Sequence, residues 1–372
     1  MRNPNTTILH LGRSRALVIT MVLALVSLVG TTVPAFAHAA VVDPYRLMAT
    51  IRGPELPPKG DTWTFDQSWV DGLHHRYYLA DAANRRIDVI DTRTNRLITT
   101  IDGFTGVAGP AGDVGHLGPS GIVGDQQGHL FAGDGKGMLK MIDLASSRVW
   151  AISTGGTGRV DKLAYDPLRH VVLATNSTDV PPFVSIIDVR GHRLLGRLVL
   201  PFATAGLEQP VYQQGKFLLA VPQTRQHRQG EIVVISVDRV GQPHLAERHL
   251  LALACQPNGL AIGRPHQVLL GCAVGHLLML DTSSWQLRAV ISPIVGETDE
   301  VWYNPTDQRF FTATAVGTAN PVVGVIDAQT DRWLTSIPTV PFAHSVAVDP
   351  GSRHVFVPMA QRGIGVFEPF VA

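Results

Sequence analysis

The chain has 372 residues, with 31 Lys and Arg against 30 Asp and Glu for a formal net charge of +1, and only 16 % of its residues are charged. That balance, with no basic block and no aromatic-basic interleaving, excludes nucleic acid as a natural partner. The 36 glycines in a chain that is 45 % hydrophobic read as many short strands joined by tight turns.

At the N-terminus, Arg2, Arg13 and Arg15 precede an apolar run from Ala16 to Val29, and Ala35-Phe36-Ala37 follows as a small-x-small site. This predicts a secretory signal peptide over residues 1–37, cut after Ala37, and an exported chain with no membrane span once the segment is removed. The apolar run is shorter than the roughly 20 residues of a spanning helix. An uncleaved anchor is the alternative.

Residues 38–372 read as one domain. The phrase apolar-x-Val/Ile/Leu-Ile/Leu-Asp, a turn, then a second hydrophobic strand returns at 88–101, 140–152, 185–198, 278–291 and 324–337. Repetition of short strands at roughly 40–50 residues is the signature of a β-propeller. Each repeat opens with a strand ending in Asp/Asn-Pro or a Gly turn, and these openings fall at 65–72, 118–125, 159–167, 207–215, 256–263, 298–305 and 343–350. The prediction is an all-β, seven-bladed propeller with four-stranded antiparallel blades. The last repeat lacks an outer strand, and YRLMATIRG at 45–53 echoes NRLITTIDG at 95–103. The N-terminal strand is therefore expected to complete the last blade and close the ring, which removes exposed sheet edges.

Cys255 and Cys272, the only two cysteines, fall in one repeat. In an exported protein they read as a disulfide stapling that blade, with two free buried thiols as the alternative.

The strings SVAVDPGSRHVFVP, GVIDAQTDRWLTSI and DVIDTRTNRLITTI resemble the YVTN-type bacterial β-propeller repeats. That resemblance covers essentially the whole mature chain. It implies the fold and leaves activity open, because propellers host many functions. Gly-His…Trp-Asp pairs and Cys-x-x-Cys-His are both absent from the sequence.

Aligning the seven repeats on the residue that ends the first strand places Asp66, Ser120, Asp161, Glu208, Asn258, Asp299 and His344 at one position, five residues upstream. First strands are innermost, so this position should ring the channel with oxygen-rich side chains. One reading is a wet channel. The other is a ligand site, where clustered carboxylates raise one another's pKa until a cation settles among them. Asp161, Glu208, Asn258 and Asp299 would form a partial shell for one divalent cation. Ca²⁺ is preferred for oxygen donors, while Zn²⁺ or another transition metal would suit His344 better. His344 can also serve as a proton carrier or a hydrogen-bonded structural residue. Glu300, beside Asp299, joins the ligand-binding candidates, although strand alternation would turn it into the sheet.

The connections at 176–183, 222–230 and 314–321, with the Gly-rich entry at 104–118, should gather on the face carrying the ring. Long connections on one face mark a binding surface or are ordinary loop variation. A small molecule or cell-envelope component is the expected partner there, and a monomer the expected state. Glu208, Asn258 and Asp299 are similar in type and repeat position to the axial metal ligands of gluconolactonase-like and paraoxonase-like propellers. That resemblance implies a metal-polarised lactone or ester carbonyl, with Asp299 or His344 as general base. A non-catalytic interaction protein is the competing class. No Gly-x-Ser-x-Gly, His-Glu-x-x-His or phosphate loop occurs.

Overall fold

The Asp that closes each Ile-Asp phrase explains why the phrase recurs. Asp91 Oδ1 accepts the backbone N–H of Arg93 at 3.0 Å and of Thr94 at 2.9 Å. Asp188 and Asp327 do the same for Arg190 and Gly191, and for Gln329 and Thr330. These side-chain turns mimic a backbone turn and reverse the chain between the third and outer strands. The residue that re-enters the outer strand takes positive φ, as at Asn95, His192 and Asp331. The Asp at the end of the first strand works likewise: Asp71 caps Leu73 and His74, and Asp166 caps Leu168 and Arg169.

The computed structural model describes residues 45–52, 63–106, 118–292, 296–360 and 362–370. The expected signal peptide, residues 1–37, lies outside the described residues, as does most of the Gly-rich entry at 104–118. The described strands form seven sheets of four, each antiparallel and in chain order from the axis outward. The seventh is the exception to chain order: its outer strand is Tyr45–Ile51, paired with Gly363–Pro369 in the register Tyr45↔Pro369 to Ile51↔Ile364. Tyr45 also meets Phe311 of blade six edge-on at 6.0 Å, and its hydroxyl accepts from Arg309.

The core lies in the seams between blades. Leu173 and Ile186 of blade three pack with Leu219 and Val233 of blade four. Phe311 and Val325 of blade six pack with Val346 and Val357 of blade seven. The seventh seam joins Val366 and Phe356 to Tyr77 and Leu79 of blade one. Each such buried side chain contributes about 1.5–3 kcal/mol, so every blade depends on both neighbours. Cys255, just before the strand Pro257–Ile262, is bonded to Cys272 at the end of Gln267–Cys272.

Candidate functional site

A bulge repeated from blade to blade builds the axial site. In blade one, Asp66 N–H donates to Ala80 O while Ala80 N–H donates to Gln67 O. Asp66 and Gln67 thus both oppose Ala80. The same pattern sets Ser120 and Gly121 opposite Gly133, Asp161 and Lys162 opposite Thr175, and Glu208 and Gln209 opposite Ala220. In blades five and six the register skips at Asn258 and at Asp299. A bulge inserts an unpaired residue and re-aims side chains. Blades meet closely here: Gly121 N–H donates to Asp161 O at 2.7 Å, and a Cβ on Gly121 would collide with that carbonyl.

Two cations that residue patterning did not identify occupy the centre. Lys162 Nζ donates to Asp66 Oδ1 at 2.9 Å and to Glu300 Oε1 at 3.3 Å. Arg159 reaches Asp161 Oδ2 at 2.9 Å through Nη2 and Asp66 Oδ2 at 3.2 Å through Nη1. Glu300 therefore faces the axis, and the expectation that alternation turns it into the sheet is corrected by the bulge at Asp299. Burial works against charge on Asp66, but Lys162, then Arg159 and His344, hold its pKa down to about 2. Burial works against Lys162 too, yet Asp66 and Glu300 keep it firmly protonated. Burial pushes Glu300 up to about 7 despite Lys162. Asp161 is also raised by burial, against the pull of Arg159, and its Oδ1 is buried with no protein hydrogen-bond partner.

Of the other ring residues, Glu208, Asn258, Asp299 and His344 form a half-buried rim around this cluster. Glu208 is pushed up to about 8, by burial first and by Asp161 next, which favours its protonated form. Asn258 Nδ2 donates to Glu297 Oε1 at 2.5 Å. His344 Nδ1 lies 3.0 Å from Asp299 Oδ2, in charge contact without hydrogen-bond alignment. The imidazole stacks on Phe65 with ring centres 5.0 Å apart. Burial alone would lower the His344 pKa; Asp299, with Asp66 and Glu300, raises it.

The charges of Asp66, Asp161, Glu208, Asp299, Glu300 and His344 all act on their neighbours here. Ser120 stands apart, its hydroxyl donating to Val160 O at 3.2 Å. Glu297, two residues upstream of Asp299, and Arg159, two upstream of Asp161, joined the site without belonging to the aligned position. Lys162 had one available signal, a lysine directly after a ring carboxylate.

The donor set does not fit a metal ion. Asp161 carries Arg159, Asp299 carries His344, the Asn258 amide is turned to Glu297, and Lys162 supplies positive charge to the carboxylates that a cation would have neutralised. Among the described residues no group of three or more His, Cys, Asp or Glu side chains is arranged to hold one. Among the loops, Asp179 of 176–183 binds the Thr157 N–H and hydroxyl at 2.9 Å, and Thr224 with His227 closes a turn inside 222–230.

Comparison with known proteins supports the architecture alone. No family model matches the chain, and no curated protein does. Among solved structures, a chain of the crystal structure of a mitotic checkpoint complex superposes with a TM-score of 0.66 at 10 % identity, covering 96 % of this chain and 99 % of that one. At that identity the likeness is one of fold: a seven-bladed β-propeller.

Proposed function

We propose that this chain is an exported propeller that binds a small, neutral, hydroxyl-rich molecule at the mouth of its axis, through Glu208, Asn258, Asp299 and His344. The observation that carries this reading is the mixture of roles at the rim. A protonated Glu208 and a raised-pKa His344 can donate, Asp299 and Glu297 can accept, and Asn258 can do both. The two cationic groups, Lys162 and Arg159, offset much of the charge of the surrounding carboxylates, and His344 adds to them when protonated. A site of that kind recognises hydroxyl groups, each acting as donor and acceptor, in preference to a strong anion or cation. Export rests on the N-terminal pattern and on the Cys255–Cys272 bond, which suits an oxidising compartment. Membership of the YVTN-type repeat proteins rests on the repeat strings quoted above.

The test is thermal unfolding with a panel of neutral mono- and oligosaccharides and polyols, components of the cell envelope included. A true ligand raises the midpoint with concentration by mass action. The effect should vanish in Asn258→Ala and in His344→Ala. A panel with no stabilising compound would overturn the reading. N-terminal sequencing of the secreted protein should begin at His38.

One observation favours a second reading, hydrolysis of a lactone or ester. His344 is oriented by Phe65 and Asp299, across a site that also holds a carboxylic acid, Glu208. In its neutral form His344 would take a proton from water while the oxygen adds to the carbonyl carbon. Glu208 would then protonate the leaving alkoxide as the ester C–O bond breaks, giving a hydroxy acid from a lactone or an acid and an alcohol from an ester. His344 would release its proton to solvent as Glu208 regains one. No metal enters this scheme. Release of acid from a lactone panel, abolished in His344→Gln, is the expected result.

A further inference from the structure

Below the Lys162 cluster the axis changes character. A cavity of about 480 Å³ is lined only by innermost strands and the turns that follow them, all downstream of the ring position. Among the ring residues and their cluster partners, only Glu300 also lines it. Glu300, with a side chain only 4 % exposed like that of Lys162, joins the wall of this cavity to the charged ring through its contact with Lys162. The cavity therefore forms a second chamber of the axis, next to the charged ring.

The walls of the second chamber are aromatic and half-buried: Trp69, Tyr165, Tyr212, Trp302 and Tyr303. Each of four is braced from behind. Trp69 stacks on Tyr78 at 5.9 Å and lies over Gly124, where a Cβ would collide with the indole. Tyr165 stacks on Phe131 at 5.7 Å, Tyr212 meets Phe217 edge-on at 5.6 Å, and Tyr303 packs on Phe310 at 4.9 Å. Rings fixed in this way lose little freedom when a ligand enters. The polar groups at the inner end are few. At that end Gln67, Ser68, Gln209 and Glu300 line the cavity. The Gln209 amide is engaged by the backbone of Leu260 and Val301 and the Ser68 hydroxyl by Ser345. The Glu300 carboxyl is the acidic group there that can accept from a guest. A volume of this size, mostly apolar walls and few polar groups describe a small-molecule site.

We propose that this chamber is a second ligand site, for a small flat aromatic molecule bearing one hydrogen-bond donor, stacked among Trp69, Tyr165 and Trp302 with its donor on Glu300. The site is independent of the proposed mouth site. Its face of an aromatic ring matches the aromatic walls, and its donor meets an acceptor that an apolar guest would leave unmatched.

The probe is 4-iodophenol, titrated into the whole protein and followed by heavy-atom quenching of tryptophan fluorescence. Saturable quenching is expected, at least tenfold tighter than with iodobenzene, which lacks the donor. Val123→Trp, which fills the chamber, should weaken it tenfold or more. If that variant does not fold, the iodine position in a crystal soaked with the probe decides. An iodine peak beside Trp69 and Trp302 supports the proposal. Quenching that does not saturate, equal affinity for iodobenzene, or iodine located elsewhere overturns it.

Discussion

The Lys162 ammonium lies 2.9 Å from the Asp66 carboxylate although 96 residues separate them in the chain. It joins blade three to blade one across the axis, and through Glu300 it also reaches blade six. Breaking a buried ion network by removing one partner strands the others. Lys162→Met is expected to destabilise the protein by about 3–5 kcal/mol. Urea unfolding measures this. Adding Asp66→Asn should restore part of the loss, and a single-mutant change within about 0.5 kcal/mol, as at ordinary surface sites, would show that the network carries no stability.

Stability should fall as pH rises. Glu208 moves from 4.5 to about 8 on folding, and Glu300 from 4.5 to about 7. The folded state binds those protons more tightly, so the associated stability is complete below pH 4.5 and is lost between there and about 8. His344, raised on folding, acts in the same direction. Asp66, lowered from 3.8 to about 2, opposes it only in acid: its contribution holds above 3.8 and fades towards 2. The midpoint of thermal unfolding should therefore peak near pH 4–5 and decline towards pH 9. Glu208→Gln should flatten the alkaline limb, and an unchanged limb would contradict the assignment.

Reducing the Cys255–Cys272 bond, or replacing both cysteines by Ala, should lower stability by about 3 kcal/mol, the loop-closure value for a loop of roughly 15 residues. The bond spans 17 residues. Denaturant unfolding with and without reductant checks this, and equal midpoints would place the stability of blade five elsewhere.

Deleting Tyr45–Ile51 removes the outer strand of blade seven and uncovers Gly363–Pro369 as an edge. Loss of cooperative unfolding, read by calorimetry, is the expected outcome. A truncated chain that melts in one sharp transition would show that ring closure does not require this strand.

Much of the molecule was legible in one dimension because its information is periodic. The Ile-Asp phrase recurs because Asp91, Asp188 and Asp327 each cap the same turn, a local bond needing only residues two and three positions on. The echo of 95–103 in 45–53 marked the closing strand for a similar reason, since outer strands share one environment. Alignment on the repeat also brought Asp66, Asp161, Glu208, Asp299 and His344 to one position, and their charges do interact. Lys162 escaped, and Glu300, although a candidate, was expected to turn into the sheet, because strict alternation assigns neighbours to opposite faces, whereas the bulge turns successive residues to the axis.

From sequence alone came the repeat, its count and the ring position, all consequences of side-chain patterning along strands. Tertiary structure decided what the ring means. Whether converging carboxylates meet a metal, water or a lysine depends on groups brought together from blades far apart in the chain. Only closure of the ring placed Lys162 among Asp66 and Glu300, and so set a buried cation where the repeat position had gathered carboxylates.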